Sequence, residues 1–297
     1  MKKDLQNALS TNTQNQYNTN WRSFKTFTES RLYQQPLPAT PLTISLYATH
    51  LHNNLHLKGT TIRTHLSAIA YQHQLAGYPS PTDNFIVNKL LLSYSKHDNP
   101  PAIRRAISKS ILVKLIQSIK THENKRTQAL YCALFTLMFH GLLRCSEVTK
   151  STGKSHNLLS TQVSLVGKGH KKVIRIAFKS YKHSKPAPPH LDVKRTGGLV
   201  CPIDALKSYL LQRESQAQAC FCNKDNSEVK RAQIVKMLKK HLSYIGLPPS
   251  DYNTHSFRIG KATAMAKSGH THSQIALAGR WNSNAFLKYI KPTLIRV

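Results

Sequence analysis

The stretch "TQALYCALFTLMFHGLL", residues 127–143, is apolar on nearly every side of a helical wheel, and it limits the folds open to this chain. A helix of that kind must be covered all round, so it belongs inside a domain large enough to bury it. It falls short of the roughly 18 residues that a membrane-spanning helix needs. No other apolar run reaches that length, and the N-terminus "MKKDLQNALSTNTQNQ" has no signal-peptide hydrophobic region. With 297 residues the chain has material for one large domain or two of ordinary size.

Ahead of the buried helix, residues 1–96 read as a small all-α unit. Tyr17, Trp21, Phe24 and Phe27 recur at helical spacing. A second stripe runs Ile44, Tyr47, Ala48, Leu51, Leu55, with Pro41 placed for a first helical turn. A third helix follows Gly59, with Thr60 or Thr61 as cap and Ile62, Leu66, Ile69 and Ala70 as apolar side; Arg63, Thr64 and Ser67 lie elsewhere on the wheel. "NFIVNKLLLSYS" makes a fourth. Pro100-Pro101 resists helix, so residues 97–106 read as a linker that carries Arg104 and Arg105.

Residues 107–297 form the larger domain. "ILVKLIQSI" is helical, and the texture turns β-rich between about residues 160 and 200, where two runs are joined by Gly167-Lys168-Gly169 and a Pro-containing turn leads to a third. Helical pattern returns at "CPIDALKSYLLQR" and at "EVKRAQIVKMLKKHLSYIG", where Ile234, Val235, Leu238, Leu242 and Ile245 oppose Lys236, Lys239 and Lys240, and Gly246 and Pro248 end the helix. The expected fold is mostly α with a small antiparallel β-sheet.

Charge narrows the partner. Lys and Arg number 43 against 12 Asp and Glu, a formal charge of +31. Such an excess repels itself and is expected where a polyanion neutralises it, so a nucleic acid leads and a membrane surface, with no spanning segment to support it, follows. The five Cys make an odd set without framework spacing, which indicates free thiols; Cys220-Phe-Cys222 lacks two further ligands for zinc.

Two clusters and one lone tyrosine carry chemistry. "HSFR" sets His255 and Arg258 three apart on one helical face, and "GLLRCSEV" sets Arg144 and Glu147 likewise at the end of the buried helix. Each pair alone reads as a solvated surface or an intrahelical ion pair. Two Arg near a core edge together suggest a phosphate clamp, since guanidinium groups bind phosphate oxygens in pairs and stabilise a pentacoordinate phosphorane. With so few carboxylates and no paired acids, two-metal phosphoryl chemistry is not expected, and no P-loop pattern indicates a nucleotide cofactor. Metal-free transfer needs a nucleophile. Tyr289 is the candidate, provided that cations or a base help its phenol to ionise, and Lys168, Lys179, Lys182 and Lys185 are candidate proton donors.

In that order, "HGLLRCSEV", "THSFRIGKATAMAKSG" and "LAGRWNSNAFLKYI" resemble the Arg I, His-x-x-Arg II and Trp-to-Tyr boxes of the tyrosine recombinases, and their wording is nearest to the versions in eukaryotic Crypton and DIRS-type mobile elements. The resemblance implies a helical core-binding (SAM-like) domain over residues 1–96 and a mixed α/β catalytic domain over 107–297, closing on double-stranded DNA as a C-shaped clamp. It implies that Tyr289 attacks a phosphodiester to give a 3′-phosphotyrosyl link, that Arg144 and Arg258 hold the non-bridging oxygens, and that His255 assists proton transfer. Trp281 stands where many relatives carry a second His, as a packing and hydrogen-bonding wall, and Glu147 where relatives carry a supporting acid. Aligning "FKSYKHS" selects Lys182 as general acid, with Lys185, Lys179 and Lys168 as alternatives. Arg63, Thr64, Arg104, Arg105, Lys168 and Lys185 are the expected DNA contacts.

The implied function is site-specific recombination or integration of a mobile element, without metal or other cofactor, by protomers that associate as dimer or tetramer on DNA. The compartment would be the nucleus in a eukaryote and the cytoplasm otherwise. Relatives often pass a C-terminal helix to a neighbour, for which "IKPTLIRV", with Pro292, leaves little room. Supercoil relaxation of the type IB topoisomerase kind and an inactive, domesticated DNA-binding protein are the alternative readings.

Overall fold

The computed structural model describes residues 8–98, 104–149, 157–178, 190–213 and 218–290. Most of these residues are helical, and one small three-stranded antiparallel sheet accompanies the helices, the fold class expected from the sequence. The chain divides into two compact units, residues 1–101 and 102–297, and the division falls within the Pro-rich stretch read as a linker.

In the first unit, α1 (Thr11–Phe27), α2 (Pro41–Asn53), α3 (Gly59–Leu75) and α4 (Phe85–His97) surround a core that includes Phe24, Ile44, Tyr47, Leu51, Ile62, Leu66, Ile69 and Val87. Side-chain oxygens of Ser10, Thr40 and Asn84 accept first-turn N–H groups of α1, α2 and α4, which satisfies donors the helices cannot satisfy themselves. Three expectations need correction. The stripe of α2 stops at Leu51, because the helix ends at Asn53 and leaves Leu55 51% exposed. Ala70 is only half-buried, whereas Ala68 is fully buried. Neither Thr60 nor Thr61 caps α3. The helix begins at Gly59, whose N–H donates to Asp98 Oδ2 at 2.8 Å, so a carboxylate just past α4 supplies the cap. A Cβ at Gly59 would meet the Ser95 hydroxyl at 2.8 Å and its backbone nitrogen at 2.9 Å, so only glycine lets α3 and α4 approach this closely.

In the second unit, α6 (Lys125–His140) is the buried helix, with residues 129–139 all inside. It packs against α5 (Lys109–His122), α8 (Pro202–Gln212) and α10 (His255–Lys267). The short α7 (Cys145–Val148) follows it. The strands β1 (Val163–Val166), β2 (Val173–Ile176) and β3 (Leu191–Lys194) pair in chain order, with Val163 opposite Ile176 and Val173 opposite Lys194. Ile174, Ile176 and Val193 join the helical core, while Gly167 and Gly169 turn the β1–β2 connection with positive φ. Helix α9 (Arg231–Tyr244) buries Ile234, Leu238 and Leu242, exposes Lys236 and Lys239, and is followed at Gly246 by a turn at φ +73°. The chain then forms α11 (His272–Gly279) and a 3₁₀ segment, Asn284–Tyr289. All five Cys are buried free thiols, and the Cys222 N–H donates to the Tyr209 hydroxyl. Among the described residues no helix is long and apolar enough to cross a membrane.

Helix α10 is seated through its backbone. The Ile107 N–H donates to the Ser256 carbonyl at 3.0 Å, and a Cβ at Gly260 would lie 1.7 Å from the Ile107 carbonyl oxygen. Gly260→Ala must therefore push α10 or the strand-like approach at Ile107 aside, an overpacking cost of about 1–3 kcal/mol or more. Gly197→Ala, where nothing lies within 4 Å, is expected to stay within about 0.5 kcal/mol of wild type. Denaturant unfolding checks the pair, and equal stability of both variants would refute the close-packing account.

Candidate active site

The site begins at the C-terminal end of α6. After Gly141 the chain turns through Leu142 at φ +48°, and the carbonyls of Gly141 and Leu142 face two guanidinium groups. Helix-end carbonyls lack partners within the helix and carry partial negative charge, so cations are favoured there.

The first cation is Arg258, 1% exposed, from the first turn of α10. Its Nη1 donates to the Leu142 carbonyl and its Nη2 to the Gly279 carbonyl at 3.0 Å. Its Nε is buried and has no hydrogen-bond partner among the described residues. The guanidinium stacks 4.3 Å from the Trp281 ring and 5.5 Å from the Tyr289 ring. Burial first, and the neighbouring Arg144 charge next, push its pKa down to about 9, which leaves it protonated at neutral pH.

The second cation is Arg280, in left-handed conformation at the end of α11 with φ +55°. That turn carries its side chain inward, where Nη1 donates to the Gly141 carbonyl at 3.2 Å and Nη2 to Glu147 Oε2 at 2.8 Å. Its guanidinium also lies 4.6 Å from the Phe178 ring. Arg144 is the third. It immediately precedes α7, its own N–H donates to Glu147 Oε2 at 2.8 Å, its Nη1 to Glu147 Oε1 at 3.2 Å and its Nη2 to the Arg280 carbonyl at 3.3 Å. Glu147, with its side chain 2% exposed, thus pairs with two of the three guanidinium groups.

The 3₁₀ segment holds the phenol against this cluster. Phe286 is buried with Leu142, Ala262, Met265 and Ile275, and the Thr263 hydroxyl donates to the Tyr289 carbonyl at 3.2 Å. The Trp281 ring stands 5.1 Å from the Tyr289 ring. A Cβ at Gly279 would come within 1.7 Å of the Trp281 ring, so the glycine of "AGRW" is what lets the indole lie back against the chain. The Tyr289 hydroxyl is 3.3 Å from His255 Nδ1.

These groups border a cavity of about 560 Å³ whose lining includes Arg144, Arg231, His255, Arg280, Trp281 and Tyr289. Among the described residues no carboxylate lines it. The arrangement suits an anion held beside a phenol that has an imidazole in reach.

Of the residues singled out in the sequence, Arg144, Glu147, His255, Arg258, Trp281 and Tyr289 come together here, with Arg258 behind the two aromatic rings rather than on the cavity wall. Lys179, Lys182 and Lys185 lie outside the described residues. Lys168 is exposed at the β1–β2 connection. Arg104 and Arg105 bind the turn at Pro249–Asp251, through the Ser250 carbonyl and through Asp251 Oδ2 at 2.9 Å. In the first unit Arg63 is exposed, and the Thr64 hydroxyl donates to the Thr60 carbonyl. Sequence reasoning missed Arg280 and Arg231; the Arg beside Trp281 in "GRW" was the available signal for the first, and nothing near Arg231 marked it.

No protein-family model matches the sequence, and no curated protein matches it. Solved structures do. The Tn1549 transposon integrase in complex with transposon right end DNA matches over 94% of this chain and 88% of its own, with a TM-score of 0.62 at 16% identity. The XerH site-specific recombinase bound to a palindromic difH substrate matches over 85% and 69%, with a TM-score of 0.58 at 16% identity. A lambda integrase dimer bound to a COC′ core site matches over 93% and 71%, with a TM-score of 0.57 at 10% identity. The likeness is one of fold: the helices and small antiparallel sheet have the architecture of a tyrosine-recombinase catalytic domain.

Proposed function

We propose that this chain cuts and rejoins DNA through a covalent 3′-phosphotyrosyl link at Tyr289, in the service of site-specific recombination or integration of a mobile element. The observation that carries the reading is the Tyr289 hydroxyl 3.3 Å from His255 Nδ1, beside a cavity walled by Arg144 and Arg280 and free of carboxylates among the described residues. A phenol placed there faces an imidazole that can take its proton, beside cations that can hold an anionic phosphate. The fold shared with integrases and recombinases and the formal charge of +31 support the same substrate.

In the proposed step the Tyr289 oxygen attacks phosphorus, its proton passes to His255, and the bond from phosphorus to the 5′ oxygen breaks. The departing oxygen takes a proton from a general acid, for which Lys182 remains the candidate by resemblance. The charge that grows on the non-bridging oxygens is met directly by Arg144 on the cavity wall, while Arg258, buried behind the aromatic rings, contributes its positive charge from there. Because the phosphotyrosine keeps the energy of the broken diester, attack by a 5′-hydroxyl reverses the step and no high-energy cofactor is required. The scarcity of acids and the cationic lining support a route in which guanidinium groups take the part that metal ions play elsewhere.

Two outcomes test the reading. A nicked suicide DNA substrate is expected to trap a protein–DNA adduct that survives denaturation, and Tyr289→Phe should abolish the adduct while DNA binding persists. An adduct undiminished in that variant would refute the assignment. Binding should also weaken steeply with salt, each neutralised phosphate contributing about −0.9 to the slope of log affinity against log salt; a flat response, measured by fluorescence anisotropy, would remove DNA from consideration.

A further inference from the structure

Three of the four guanidinium groups gathered here are already engaged. Arg258 spends both Nη groups on the Leu142 and Gly279 carbonyls, Arg280 binds the Gly141 carbonyl and Glu147, and Arg144 binds Glu147 and the Arg280 carbonyl. The fourth is different. Arg231 is the first residue of α9, it is exposed, and its side chain takes part in no hydrogen bond or ion pair among the described residues. It nevertheless lines the same cavity as Tyr289, His255 and Arg144, and its charge is felt at the Cys145 thiol beside Arg144. No carboxylate in that lining could serve as its partner.

We propose that Arg231 is a DNA-positioning residue of the catalytic cavity, binding the phosphate next to the scissile one on the cleaved strand; this rests on the reading of Tyr289 as the nucleophile. A strand carries a phosphate at each nucleotide, about 3.4 Å apart along the duplex axis, so a strand entering the cavity brings neighbours with the phosphate that Tyr289 attacks. The engaged guanidinium groups sit deep, with the Arg280 and Arg144 side chains 2% and 16% exposed, and surround the reacting position. Arg231 is exposed where the strand enters, and its free fork can grip two phosphate oxygens at once. An unpaired cation at the entrance also draws the DNA toward the phenol before any bond is made.

The experiment uses the full chain with nicked suicide DNA. Arg231→Ala and Arg231→Gln are expected to weaken DNA binding on the order of tenfold, as loss of a charge-assisted contact implies, and to shallow the salt slope by about 0.9. The loss in cleavage should fall mainly on the DNA concentration needed for half-maximal rate, and Arg231→Lys should restore part of it. Replacing the flanking phosphate by an uncharged methylphosphonate should weaken wild type by a similar factor and leave Arg231→Ala no worse than on native DNA. Unchanged affinity and slope in both variants would overturn the proposal, as would a variant that stays sensitive to the methylphosphonate. A defect that appears only with methylphosphonate at the scissile position would likewise overturn it. If wild type forms no adduct at all, the reading of Tyr289 fails instead, and the binding arms still judge Arg231 as a phosphate contact.

Discussion

The carboxylate of Glu147 governs the arrangement of the site. Arg144 and Arg280 both bind it, so one buried acid ties the start of α7 to the end of α11 at a single point. Removing one partner of a buried pair is strongly destabilising, because it strands an uncompensated charge away from water. Three guanidinium groups against one carboxylate still leave an excess of positive charge. The protein offsets it with peptide dipoles: the carbonyls of Gly141, Leu142 and Gly279, all at helix ends, accept from Arg258 and Arg280. Dipoles neutralise without cancelling, so the field at the cavity stays positive for an incoming anion.

The same economy appears along α10, whose successive turns each touch the C-terminal segment. His255 meets the Tyr289 hydroxyl, Arg258 meets the Gly279 carbonyl and both aromatic rings, and Thr263 meets the Tyr289 carbonyl. The helix is held by backbone contact at Ile107 and Gly260 and so acts as a rigid rail. A phenol carried on a 3₁₀ turn would otherwise wander. Anchoring that turn by Phe286 and Thr263 confines the hydroxyl near its imidazole, and on the proposed reading such confinement would supply much of the rate enhancement.

Residues close in sequence made much of this legible. The helical pairs His255 with Arg258 and Arg144 with Glu147 were visible from spacing alone, and the apolar run over residues 127–143 announced a buried helix of the second unit. Arg280 stood in the "GRW" box, but its role could not be read there, because it depends on a left-handed φ and on Glu147, 133 positions away. Arg231 opens a helix far from every motif, and only the folded chain brings it to the cavity. The cap of α3 failed for the same reason: a threonine at the right local position lost to Asp98, a residue from another helix end. Local propensity sees the chain's own neighbourhood, whereas a counter-charge is selected by whatever the fold carries past it.

These two kinds of cation divide the physical labour. On the proposed reading, guanidinium groups locked on carbonyls and on Glu147 would be oriented before substrate arrives, so they would stabilise developing charge without reorganising at that moment. Cations free at the surface contribute to affinity and encounter rate and are the ones that salt weakens. Neither kind reads a base, because contacts to phosphate fix position and register but carry no sequence information. A chain that acts at chosen sites must therefore place its discrimination in groups that reach base edges or sense DNA shape. Among the described residues the cavity offers Asn282 and Ser283 on its wall as uncharged donors and acceptors, and they follow directly on Trp281.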